Sequence, residues 1–63
     1  MRLTEFWRRM DEHFGAQSRA FARDRVLNEL GSRTVEEALA QGDAAKDVWR
    51  AVCVEADIPP RKR

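Results

Sequence analysis

The sequence predicts an all-α domain, a compact bundle of four short helices followed by a mobile basic C-terminal tail. Three observations lead there. Apolar residues recur at spacings of three and four rather than alternating, which marks helix faces and not strands. Gly15, Gly31 and Gly42 each follow a run of helix formers, where a left-handed residue just past a helix end belongs. Pro59 and Pro60 then stop the last run, because neither has the backbone N–H that continues a helix.

The first helix is expected over residues 5–14 with Thr4 as its N-cap. Phe6, Trp7, Met10 and Phe14 fall on one arc about 100° wide, and the charged residues lie elsewhere. Glu5 with Arg9 and Arg8 with Glu12 are i to i+4 charge pairs. The second helix is expected over 18–30, with Ala20, Ala22, Val26, Leu27 and Leu30 as its apolar stripe. Two residues break that stripe: Arg23 lies inside it, and Phe21 points to nearly the opposite side. Either Arg23 snorkels over the edge and Phe21 covers the first helix, or Phe21, Arg23 and Arg25 form an aromatic-plus-arginine patch for a partner protein.

The third helix, 35–41, opens on the capping box Thr34-Val35-Glu36-Glu37 and turns Val35, Ala38 and Leu39 inward. The fourth, 44–56, has Asp43 as its cap and Ala45, Val48, Trp49, Val52, Cys53 and Ala56 on one face. The expected core is Phe6, Trp7, Met10, Phe14, Val26, Leu27, Leu30, Val35, Leu39, Val48, Trp49 and Val52. Residues 1–58 then make one domain. The tail, 59–63, has no apolar side chain beyond its prolines to anchor it.

At 63 residues, 43% hydrophobic and 37% charged, the chain has little surface to bury. A core of this size supplies roughly 3–5 kcal/mol, which leaves no room for a substrate cleft as well, so a non-enzymatic role is expected. No apolar run is long enough to cross a membrane, and the N-terminus lacks the apolar run of a secretion signal, so a cytoplasmic protein is expected. Cys53 and His13 are the only residues of their types, which excludes an intrachain disulfide and a zinc-finger ligand set; no metal or cofactor is expected. Cys53 on an apolar helix face reads as a small buried hydrophobe rather than a nucleophile, and Trp7 and Trp49 read as core rather than base-stacking platforms.

Charge sign varies along the chain. Residues 1–33 carry seven bases and five acids, 34–58 two bases and six acids, and the tail three bases with no acid. Ten of the twelve cations are arginine, the side chain whose fork suits phosphates and carboxylates. A nucleic-acid surface would draw on Arg8, Arg9, Arg19, Arg33, Arg61, Lys62 and Arg63 if folding brings them together. Ala38, Gly42 and Val48 also match helix-turn-helix spacing, but Glu37, Gln41 and Asp43 stand where that motif takes apolar residues. Its second helix would carry four acids against Lys46 and Arg50, a poor complement to a major groove. The leading expectation is a protein–protein interaction module, monomeric or a homodimer that buries Phe21. A nucleic-acid-binding accessory role is the alternative.

Met1-Arg2-Leu3-Thr4-Glu5-Phe6-Trp7 with Arg9-Met10, Ala22-Arg23-Asp24, Val26-Leu27, Arg33-Thr34-Val35-Glu36 and Val48-Trp49-Arg50-Ala51-Val52-Cys53 carry a family resemblance. Together they resemble the small actinobacterial family catalogued as domain of unknown function 3046, over nearly the whole chain. The resemblance implies no assigned activity and no binding residue. Genes of that family often lie beside those of the strand-pairing recombinase and its small helical regulator, which implies a link to DNA recombination or repair by association alone.

Overall fold

The computed structural model describes residues 1–63. Helix α1 spans Leu3–Phe14, two residues longer at its start than expected. Arg2 precedes it with no side-chain cap, and Thr4 sits inside the first turn. After a 3₁₀ turn at Gly15–Gln17 comes α2, Ser18–Asp24. The Ser18 hydroxyl, buried, donates to the Asp11 carboxylate and ties the two helices together.

The fold is mostly helical but not all-α, and residues 25–34 are where it departs from expectation. Helix α2 stops at Asp24, and Arg25 turns extended at φ −85°, ψ 120°. Strand β1 (Val26–Leu27) then pairs antiparallel with β2 (Arg33–Thr34), in the register Val26 opposite Thr34 and Leu27 opposite Arg33. A 3₁₀ turn at Asn28–Leu30 and two successive left-handed residues, Gly31 at φ +65° and Ser32 at φ +64°, reverse the chain between them. The cause is legible in the side chains. A helix continued to Leu30 would hold Arg23 in the stripe that buries Leu27 and Leu30, and an unpaired buried cation is costly. Breaking at Arg25 sends Leu27 and Leu30 into the core, leaves Val26 50% exposed, and frees Arg23 to pair with Asp24 at the surface.

Helix α3, Val35–Ala40, starts on the expected capping box: Glu37 N–H donates to Thr34 Oγ1 at 3.1 Å, and Thr34 N–H donates to Glu37 Oε1 at 2.8 Å. Helix α4, Ala45–Glu55, is the central element, with Val48, Trp49, Ala51, Val52 and Cys53 all buried. Asp43 does not cap it. Its carboxylate is taken by Arg33, whose guanidinium also donates to the Leu30 carbonyl at 2.7 Å and to Gln41. The spacing of a helix-turn-helix is therefore present, but α4 spends its inner face on the core. Its outer face offers Lys46 beside an Arg50 already paired with Asp47, which is little for a major groove to meet.

The core is built around Phe6, whose ring stands edge-on to Trp7 at 5.1 Å and to Trp49 at 6.2 Å, joining α1 to α4. Of the expected core, Trp7, Phe14 and Leu39 are half-buried against it and Val26 lies outside it. Ile58, left out of the expected core, is buried. The basic tail gains an anchor that its sequence does not advertise: Pro60–Lys62 form a 3₁₀ turn, and Arg63 Nε donates back to the Ile58 carbonyl at 2.8 Å. No helix is long and apolar enough to cross a membrane.

Candidate functional site

On α1 the positions 8, 9, 12 and 13 lie along one flank, beside the face that carries Phe6 and Met10 into the core. Against that face lies the C-terminal turn. Arg9 Nη1 donates to the Arg63 main-chain oxygen at 2.6 Å, bridging residues 54 apart in sequence. Between the two walls runs a groove of about 500 Å³ lined by Arg8, Arg9, Glu12, His13, Trp49, Arg61, Lys62 and Arg63. Five cationic side chains and one carboxylate side chain thus line it.

The α1 wall is stiffened by its own ion pairs. Glu5 accepts from Arg8 Nη2 at 2.6 Å and from Arg9 Nε at 2.8 Å, and Arg8 also reaches Glu12 at 2.8 Å. Arg61 and Lys62 make no ion pair, so their charge is left for solvent or a ligand. The floor is Trp49. Its indole N–H is buried with no acceptor, and an unmade bond of that kind costs about 1–3 kcal/mol.

The hydrogen bond from Arg8, then that from Arg9, holds the Glu5 carboxyl at about 2, against an ordinary 4.5. Arg33 lowers Asp43 and Arg23 lowers Asp24 in the same way. A carboxyl with a depressed folded value contributes stability that is present above its unfolded value and lost as pH falls through the folded one. Thermal melts should therefore show stability draining away between about pH 4.5 and pH 2, and Glu5→Gln should shed part of that dependence. An identical acid profile in the variant would mean that Glu5 does not carry it.

Five of the seven arginine and lysine positions expected for an anionic surface converge here: Arg8, Arg9, Arg61, Lys62 and Arg63. The other two do not. The Arg19 guanidinium carbon sits over the Trp7 ring at 3.8 Å, and Arg33 is locked to Asp43. The residues expected to meet a protein partner fare differently. Phe21 is half-buried and stacked on Phe14 at 4.4 Å, so it covers α1 and no longer needs a dimer partner to do so. Phe21 and Arg25 border a shallow hollow of about 350 Å³ with Phe14, Gln17, Ala20 and Asp24; Arg23 stands outside it. Arg23 pairs with Asp24, and Arg25 with Glu55 at 2.5 Å.

Sequence reasoning missed His13 and Trp49 as groove residues. His13 was recoverable, since it lies one turn after Arg9. Trp49 was not, because an apolar helix face conceals which of its rings holds an unsatisfied donor. Cys53 is fully buried on α4, and burial pushes its thiol up, the opposite of what a nucleophile needs. No group of three or more His, Cys, Asp or Glu side chains converges to hold a metal ion.

Residues 1–61 of the 63 match the family described as protein of unknown function (DUF3046). The chain belongs to that family. No curated protein and no solved structure gives a significant match. The DUF3046 match takes in the α1 wall of the groove, Trp49 and Arg61, and ends two residues before Arg63.

Proposed function

We propose that this DUF3046 chain is a small non-catalytic module that binds nucleic acid by its phosphates, along the groove between α1 and the C-terminal turn. The convergence of Arg8, Arg9, Arg61, Lys62 and Arg63 on one concave surface supports this reading. Scattered surface charge is ordinarily interleaved with acids, as Arg23, Arg25, Arg33 and Arg50 are here. At the groove Arg8 and Arg9 are paired with Glu5 and Glu12 in the same way, but Arg61, Lys62 and Arg63 add three cations that make no ion pair. Neutralised phosphates release counterions, and that release dominates nucleic-acid affinity.

The test is the salt dependence of duplex binding. At about 0.9 per phosphate contact, five engaged cations give a log–log slope near −4.5, and Arg61→Gln with Lys62→Gln should flatten it to about −2.7. These two are chosen because their side chains make no internal bond. An unchanged slope, or no binding at low salt, would refute the reading. A second reading, docking of a protein partner, is supported by the apolar hollow at Phe14 and Phe21. Carrying a Phe21→Ser and Arg23→Ser variant through the same titration separates the two surfaces: nucleic-acid affinity should not change.

A further inference from the structure

The nucleic-acid reading uses the five cations of the groove and leaves His13 without a task. His13 is the only histidine of the chain, is exposed, and lines the groove one turn after Arg9. Its ring stands edge-on to Phe14 at 4.8 Å, which keeps the imidazole at the α1 wall. Histidine is the side chain whose ordinary titration falls between about pH 5 and pH 8. Arginine and lysine keep their charge throughout that range, and carboxylates lose theirs only below it. Of the side chains that line the groove, one alone therefore switches its charge near neutrality.

The charges around it come from two elements. Arg8, Arg9 and Glu12 share its flank of α1, and Arg61, Lys62 and Arg63 line the C-terminal wall. The two acids next to it in sequence already have partners: Glu12 is held by Arg8, and the Asp11 carboxylate accepts from the Ser18 hydroxyl. Trp49, the contribution of α4, does not titrate. The other kind of group that titrates near neutrality is an α-amine, and that of Met1 lies beyond the far end of α1. About 15 Å of helix separates it from His13, against a Debye length of about 8 Å at about 0.15 M salt. An imidazolium among these cations lacks an anion, and a phosphate backbone in the groove brings one. Attraction between whole charges needs no aligned donor, and acts over several ångströms whichever ring nitrogen is turned to the phosphate. Protonation of His13 and occupation of the groove thus favour each other, each by the same factor.

We propose that His13 links nucleic-acid binding to pH: neutral, it leaves the backbone to five cations, and protonated, it adds a sixth. Binding then takes up a proton and tightens as pH falls from about 8 to about 6. The proposal rests on the nucleic-acid reading and adds to it the regulation of the same groove.

The experiment measures the affinity of the full chain for a fluorescently labelled mixed-sequence duplex at about pH 6 and pH 8, each over a series of salt concentrations. Backbone phosphodiesters stay ionised at both. The log–log slope should steepen from about −4.5 at pH 8 to about −5.4 at pH 6, one further contact at about 0.9, and the duplex should bind about three- to tenfold tighter at pH 6 in about 0.1 M salt. His13→Gln should keep the weaker affinity and the shallower slope at both pH values. His13→Lys, a permanent cation at the same point, should keep the tighter affinity and the steeper slope at both. The position is exposed, so both variants should match the parent chain by far-UV circular dichroism. A pH dependence that persists in His13→Gln belongs to another group, the Met1 amine first, and overturns the role of His13. Equal affinity of the parent chain at the two pH values overturns the proposal and leaves the nucleic-acid reading standing. His13→Lys binding no tighter than His13→Gln does the same, since no phosphate then passes within its reach. Absence of duplex binding at low salt and both pH values overturns the proposal and the reading together.

Discussion

Phe6→Ala leaves the chain largely unfolded at room temperature. Phe6 is fully buried and touches both tryptophans edge-on, so it is the side chain through which α1 is held on α4. Truncating a buried phenylalanine costs about 3–5 kcal/mol, and each lost aromatic pair adds roughly 0.5–1.5. A single-core domain of this length has about 3–5 kcal/mol in total. The loss is thus as large as the whole. Far-UV circular dichroism and urea titration check it, with Val54→Ala as the control, since Val54 is 49% exposed and its truncation should stay within about 0.5 kcal/mol. A cooperative Phe6→Ala melt close to that of the parent chain would show that α1 is held by something other than this ring.

Three of the helices were readable because local and tertiary signals agree in them. Helix α1 has its apolar arc, α3 its capping box and α4 a face of Val48, Trp49, Val52 and Cys53; in each the residues that favour helix are also those that the core needs. Residues 25–34 were misread because these signals conflict there. Val26, Leu27 and Leu30 fit a helical spacing, but Arg23 occupies the same stripe, and the cost of burying it decides for a break at Arg25. The conflict was visible as the misplaced Arg23. It marks where the helix ends.

The groove was legible only in part. Its cations were identified by type, yet no local pattern states that residues 8 and 9 will lie against residues 61–63. That juxtaposition is set by where α4 ends, by the left-handed Asp57 at φ +55°, and by Ile58 turning back into the core. Long-range placement of this sort follows from packing, and a period of three or four does not encode it.

Ile58→Ala is accordingly expected to disturb stability and binding together. The side chain is 1% exposed, its N–H donates to the Cys53 carbonyl at 2.9 Å, and its own carbonyl receives Arg63 Nε. Truncation costs about 2–5 kcal/mol in comparable sites, most of what the domain has. It also loosens the carbonyl that positions Arg63, and with it the wall of the groove that Arg9 clasps. Arg63→Ala separates the two effects, because Arg63 is exposed and adds nothing to the core. That variant should melt close to the parent chain and bind duplex more weakly, whereas Ile58→Ala should lose both properties. If Ile58→Ala unfolds within about 0.5 kcal/mol of the parent in urea, the C-terminal turn is not anchored through the core, and Arg61, Lys62 and Arg63 reach the groove by another route.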